Sequence, residues 1–466
     1  MDGSNSSYIQ DKCGIFAIAD DKDVYYKTIN GLKFLQHRGQ ESAGISYTKG
    51  NIMHTYKSLG LVETVFNDFS DEFNIGIGHV RYSTRKKTTN SIKHMETQPI
   101  SGNSRFGKFS LAHNGNIPLI NKIKEKYDIN YDTESDTIIL VKIIEKLSHK
   151  YVTWLDVLID LIHGIEGVYC LVILLGNEIY AIRDAHGVRP LCLGKRENGG
   201  YCIASESRAL QEYHLIRDVK PGEILCIRED LTMESLYQRK LIKNSFCSFE
   251  YIYFMKPDSI THGNTKGGIF KNKLIENIRY QLGYELGKQE AHVDKTAIVL
   301  SVPNTPIPAA KGFARAVDLE YYDYIEKRKD AGRTFILPTD KERIDAVEKK
   351  YIFHPELKNH NVYIIDDSIV RGITFKSIIK KLKNIGVRKI HIRITSPPVI
   401  SECYYGIDIP TKRELIAHEK SVLDIRKELS VTTLKYMDIK SIKKVFNENI
   451  CTSCFDGKYN QDLLSW

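Results

Sequence analysis

The chain has 466 residues, long for one hydrophobic core, so two domains are the default expectation. Hydrophobic residues at 42% and charged residues at 27% are those of a globular protein and exclude a disordered or fibrous chain. The net charge of +9 comes from lysines spread along the chain, with no dense basic block among aromatics; it argues against nucleic acid and suits a polyanionic substrate.

No apolar run approaches a membrane span, and residues 1–12 are polar, without a signal-peptide core. Nine cysteines without a secretion signal point to a reducing, cytoplasmic compartment and away from disulfides.

After the leader, Cys13-Gly-Ile-Phe-Ala-Ile-Ala19 reads as a buried strand that begins with a cysteine. A thiol there is ordinarily a small buried hydrophobe. Turn-rich Leu35-Gln-His-Arg-Gly-Gln-Glu-Ser-Ala-Gly-Ile45 follows, then Gly76-Ile-Gly-His-Val-Arg-Tyr-Ser-Thr84, with Arg81 at a strand end. Leu111-Ala-His-Asn-Gly-Asn-Ile117 sets Asn114-Gly115 in a tight turn. Asp136 stands just before a helix over 137–147, where it reads as an N-cap or as a binding carboxylate. Further strands are expected at 168–175, 178–184, 191–194, 201–204 and 223–227.

These strings, from Cys13 to about residue 235, resemble the class II glutamine amidotransferases, which are N-terminal nucleophile hydrolases. The resemblance implies an α+β domain in which two antiparallel sheets lie between helix layers (an αββα sandwich). It makes Cys13 the nucleophile, Asn114 and Gly115 the oxyanion stabilisers, Arg81 the partner of the glutamine α-carboxylate and Asp136 that of its α-ammonium. Amide hydrolysis needs such a set of nucleophile, base and oxyanion donors. In the family the base is the α-amine of the cysteine itself, so residues 1–12 are expected to be cut away. His37, His79 and His113 are assigned to structure.

A domain boundary is expected near residues 235–250, where Ser245-Phe-Cys-Ser-Phe-Glu-Tyr-Ile-Tyr-Phe-Met-Lys-Pro-Asp258 opens the second half. Val299 starts a strand that leads into Ser301-Val-Pro-Asn-Thr-Pro-Ile-Pro. Val362-Tyr-Ile-Ile-Asp-Asp-Ser-Ile-Val-Arg-Gly-Ile-Thr374 reads as a buried strand, two carboxylates and a turn, followed by a helix over 375–382. A loop between a strand and a helix N-terminus suits an anion, and a carboxylate pair suits ribose hydroxyls or Mg²⁺. Strands alternating with helices imply a parallel sheet with ligand at the strand C-terminal ends.

The carboxylate loop resembles that of the type I phosphoribosyltransferases, so the second domain is expected to be α/β with a parallel sheet. The whole chain resembles the amidophosphoribosyltransferases, which make 5-phosphoribosylamine from phosphoribosyl pyrophosphate (PRPP) and glutamine, a first step of purine synthesis. By that resemblance Thr305, Asp366 and Asp367 serve Mg²⁺, while Arg333, Arg371, Gly372 and Thr374 hold PRPP. Asn304, the stretch Lys327–Asp330 and Ile373 depart from the family pattern. Cys451-x-x-Cys454 alone fits zinc, a cluster, redox chemistry or none. Cys247 and Cys403 lie in strings that match the iron–sulfur branch, so Cys247, Cys403, Cys451 and Cys454 are expected to hold a 4Fe–4S cluster, with zinc as competitor. Cys170, Cys192, Cys202 and Cys226 read as core.

The domains expected are a leader, 1–12; an amidotransferase domain, 13–240; a phosphoribosyltransferase domain, 241–430; and a tail, 431–466, with two cluster cysteines. A homo-oligomer (dimer or tetramer) inhibited by purine nucleotides is also implied. Two rivals stay open: a glutamine-dependent amino-sugar synthase and a PRPP-binding regulator.

Overall fold

The computed structural model describes residues 13–82, 89–197, 199–239, 245–261, 273–328, 350–409, 411–446 and 450–459, and the backbone of Gln10 and Asp11. Asp330 and Arg333 lie outside the described residues.

The strand Cys13–Ala19 runs through the centre of the first domain. Its alternation decides the layers, because successive side chains point to opposite faces. Ile15, Ala17 and Ala19 pack between two sheets. Phe16 and Ile18 face the other way and pack with the helix Val24–Leu35. The first sheet has seven strands in the order His214–Asp218, Cys192–Arg196, Gly199–Ala204, Cys13–Ala19, Ile75–Arg81, Ser42–Lys49, Ile52–Leu59. The second has six: Met233–Gln238, Glu223–Arg228, Glu178–Arg183, Val168–Leu175, Gly107–Asn116, Ile100–Ser104. Both are antiparallel throughout. The helices Asp136–Ser148 and Trp154–Gly164 cover the outer face of the second sheet through Ile139, Ile143, Val157 and Leu161. This is the helix–sheet–sheet–helix sandwich expected from the sequence.

Two local expectations are corrected. Asn114 and Gly115 do not form a tight turn. They continue the strand Gly107–Asn116, paired with Cys170 and Tyr169. Glycine permits this because a Cβ on Gly115 would lie 2.0 Å from the Val168 carbonyl oxygen. Nor is Asp136 the helix cap: Ser135 is, its hydroxyl accepting from the Ile138 N–H, and Asp136 opens the first turn.

The second domain is built on a four-stranded parallel sheet in the order Ala297–Ser301, Asn361–Asp366, Lys389–Ile394, Thr433–Tyr436. Tyr363 and Ile365 pack on the helices Ile275–Lys288 and Ile307–Val317. Val362 and Ile364 pack on Ile373–Ile385 and Val422–Leu429. The short strands Phe246–Cys247 and Ile450–Cys451 pair in parallel, joining the start of the second domain to the chain's last described stretch.

Fully buried ions lie where the domains meet. Arg38 donates from Nε to Glu206 at 2.5 Å and from Nη2 to Glu250 at 2.7 Å. Arg189 faces the other oxygen of Glu250 at 3.1 Å. Glu206 also accepts from the Lys256 N–H and the Ser259 hydroxyl. Burial pushes the Glu206 carboxyl up, but Arg38 and His37 outweigh it and hold it well below the usual range.

Candidate active site

Cys13 is the first residue of its strand, 8% exposed and paired across the ladder with Arg81. Two residues on, the Ile15 N–H donates to the Ser205 hydroxyl at 3.0 Å. The same hydroxyl accepts from Asn114 Nδ2 at a long 3.4 Å, so Ser205 ties the cysteine strand to the amide. Asn114 is fully buried, and its Oδ1 has no hydrogen-bond partner among the described residues. A buried amide held this loosely has capacity left for a substrate.

Arg81 donates to Glu41 at 3.1 Å and to Glu96. Lys93 reaches the other Glu41 oxygen at 3.1 Å. The cation expected to take a glutamine carboxylate therefore already holds two protein carboxylates, of which sequence reasoning named neither as a site residue. Asp136 accepts from the Thr137 N–H at 2.7 Å and the Ile117 N–H at 3.3 Å, which fixes its carboxyl beside the Asn114–Gly115 strand end. His79 is fully buried, its Nε2 on the His113 carbonyl at 3.1 Å, and burial pushes its pKa down to about 3. Such a ring stays neutral at ordinary pH.

At the second site, adjacent strands end together: Ser301 pairs with Ile365, and the Val302 N–H donates to the Ile365 carbonyl. The loop with Thr305 and the loop with Asp366 and Asp367 thus leave from neighbouring strand ends. The Asp367 N–H donates to Asp366 Oδ1, and the Ser368 hydroxyl to Asp367 Oδ1, both at 2.8 Å. Burial, and then the Asp367 charge, push the Asp366 carboxyl well above its usual range. Burial pushes Asp367 up to about 6, against the pull of Ser368 and Arg279. Among the described residues neither carboxylate makes a salt bridge. Two buried acids without a salt bridge fit a divalent cation or hydroxyl groups.

Gly372 caps the helix Ile373–Ile385 with φ +78°, and no side chain caps the helix start. Arg371 is held by Glu414 at 3.0 Å. Thr374 stands in the first turn of the helix. Sequence reasoning did not pick out Lys256 and Lys350, and it marked Lys327 only as the start of a stretch that departs from the family pattern. Burial, with the like charges of Lys350 and Lys256, lowers the Lys327 pKa, and the Lys350 charge pulls the Asp366 carboxyl down against its burial. Their positions, 256, 327 and 350, carry no common spacing.

Cys247 and Cys451 are register partners, and the Tyr405 N–H donates to Cys403 Sγ at 3.3 Å. Burial, and then the proximity of Cys451, Cys403 and Cys247, push the Cys454 thiol well up. The four thiols are thus mutual neighbours. Among the described residues, however, no group of three or more His, Cys, Asp or Glu is arranged to hold a metal ion. None of the nine cysteines forms a disulfide. Cys170, Cys192, Cys202 and Cys226 are buried in the sheets.

Residues 84–212 match the family model described as a glutamine amidotransferase domain. The chain is 36% identical to the amidophosphoribosyltransferase of Methanothermobacter thermautotrophicus, over 98% of this chain and 96% of that one. It is 35% identical to that of Synechococcus elongatus, over 97% and 91%. The fold matches the glutamine PRPP amidotransferase from B. subtilis, solved in complex with ADP and GMP, with a TM-score of 0.84 and 33% identity over 96% of this chain and 97% of that one. Sequence, sandwich and parallel sheet agree over nearly the whole length, and the chain belongs to the amidophosphoribosyltransferase family, the glutamine-dependent phosphoribosyltransferases of purine synthesis.

Proposed function

We propose that residues 1–12 are removed, that Cys13 then hydrolyses glutamine, and that the ammonia passes inside the protein to PRPP. The Cys13 thiolate attacks the amide carbon, with its own α-amine (ordinary pKa near ~8) as base. Asn114 Nδ2 and the Gly115 N–H stabilise the oxyanion. Ammonia leaves, and water releases glutamate from the thioester. Arg81 exchanges part of its pairing with Glu41 and Glu96 for the substrate carboxylate, and Asp136 takes the α-ammonium.

At the second site ammonia attacks the anomeric carbon of PRPP, giving 5-phosphoribosylamine and pyrophosphate. Asp366, Asp367 and Thr305 form the Mg²⁺–ribose side. When bound, Mg²⁺ supplies neutralising charge for the departing pyrophosphate. Arg371, Gly372 and Thr374 take the 5-phosphate at the helix start, and Arg333 covers the substrate. The domain bounds proposed are 13–240 and 241–430, with 431–466 as tail.

The same reading assigns Cys247, Cys403, Cys451 and Cys454 to a 4Fe–4S cluster, supported by their mutual proximity; when bound it ties residue 247 to the tail. A homo-oligomer under purine-nucleotide control, working in the cytoplasm, completes the proposal.

What carries the reading is the pairing, on one chain, of a glutamine site at Cys13 with a buried aspartate pair at the end of a parallel sheet. Incubation with glutamine, PRPP and Mg²⁺ should yield glutamate, pyrophosphate and phosphoribosylamine. Glutamate without pyrophosphate would overturn the transferase half.

A further inference from the structure

Residues 404–408 leave the second domain and lie against the glutamine half. The Asn116 side-chain amide donates from Nδ2 to the Tyr404 carbonyl at 2.9 Å. Two residues on, Gly406 has φ +104° and sits directly on Gly115. A Cβ on Gly406 would lie 3.2 Å from the Gly115 carbonyl carbon, and 3.4 Å from its Cα and its oxygen. On its other side Gly115 is closed off by the Val168 carbonyl. Its peptide is therefore clamped between a strand of its own domain and one glycine of the other.

We infer that Gly406 is a positioning residue for glutamine hydrolysis: its bare backbone seats Gly115, so that the oxyanion donor is set by the second domain. This rests on the reading of Gly115 as an oxyanion donor. A side chain at 406 meets two obstacles at once, because L-residues rarely adopt this φ and the added carbon presses on the Gly115 peptide. The contact is backbone against backbone, so no rotamer change relieves it. A displaced oxyanion donor weakens binding of the transition state, in which the oxyanion exists, more than binding of the ground state.

The test compares Gly406→Ala with the wild type in glutaminase kcat and KM, in ammonia-dependent synthesis of phosphoribosylamine, and in Tm. The kcat for glutamine should fall roughly ten-fold, short of the ~10²–10³ that follows loss of a whole oxyanion donor. KM for glutamine should stay within about two-fold, and ammonia-dependent synthesis should be unchanged, as expected for an interaction made only in the transition state. Asn116→Ala, which removes the hydrogen bond to Tyr404, should lower kcat in the same direction by less, and it keeps the test alive if Gly406→Ala does not fold. Folded Gly406→Ala with wild-type glutaminase kcat would overturn the inference, as would an equal fall with glutamine and with ammonia. Wild-type protein that makes no glutamate from glutamine would overturn the glutamine-site reading and this inference with it.

Discussion

Arg38 and Glu250 stand 212 positions apart in the chain, yet they meet at 2.7 Å with neither side chain reached by solvent. Arg38 lies in the turn after the helix Val24–Leu35, and Glu250 opens the short helical stretch Glu250–Phe254. Removing one member of a buried ion group costs up to about 3–5 kcal/mol, and Arg38 keeps Glu206 as a partner when Glu250 is lost. Glu250→Ala also takes this carboxylate from Arg189, so we expect a loss of about 1–3 kcal/mol by chemical denaturation. A loss below about 1 kcal/mol would mean that the pair is not holding the domains.

Asp367 gives a prediction with an unusual sign. Its folded pKa, about 6, lies above the ordinary carboxylate value of 3.8. The stability this group contributes is present below the unfolded value and is lost as pH rises through about 6. Asp367→Asn should therefore stabilise the ligand-free protein at neutral pH, on the order of 1–3 kcal/mol. The same change should cripple PRPP turnover with glutamine or ammonia while leaving a basal glutaminase. A destabilised Asp367→Asn that still turned PRPP over would show the loop to be a structural turn.

His79 acts in the opposite pH direction. Its folded pKa, about 3, is depressed below the ordinary 6.5 by burial. Its contribution is intact above the unfolded value and drains away as pH falls from about 6.5 toward 3, with a slope of up to ~1.4 kcal/mol per pH unit. His79→Gln keeps a donor for the His113 carbonyl and removes the titration. The acid limb of its stability curve should be shallower than the wild type's; an unchanged limb would show that His79 does not titrate on unfolding.

Cys13→Ala should abolish glutamine-dependent synthesis and preserve synthesis from ammonia, because the two chemistries use separate sites. N-terminal sequencing of the active protein should begin at Cys13. Full glutaminase activity with Met1 still attached would contradict the use of the cysteine amine as base.

For the four thiols near the tail, anaerobically purified protein should be brown and contain iron and acid-labile sulfide. Cys454→Ser should lower Tm before it lowers ammonia-dependent turnover. Colourless protein with stoichiometric zinc would favour the competing metal.

The strands Cys13–Ala19 and Val168–Leu175 were read from the sequence with the bounds observed, because a continuous apolar run between turns leaves little choice of register. The strand into Asp366 and the helix after Gly372 were read within two or three residues at each end. Asn114-Gly115 misled, because the dipeptide favours a turn and only the nearby Val168 carbonyl explains the glycine. Ser135 as the cap was hidden by the more conspicuous Asp136. The Arg38–Glu206–Glu250–Arg189 ions, the Glu41 and Glu96 partners of Arg81, and the group Lys256, Lys327 and Lys350 carry no sequence spacing. Each depends on which loops the fold brings together.

The parallel pairing of Phe246–Cys247 with Ile450–Cys451 bears on synthesis of the chain. The opening strand of the second domain finds its partner only after the whole four-stranded parallel sheet between them has left the ribosome. Until then the cysteines at 247 and 451 cannot meet. A product that stops short of residue 450 has an intact amidotransferase sandwich behind it and an unclosed second domain. Closure of the second domain therefore follows synthesis of its parallel sheet and cannot precede it.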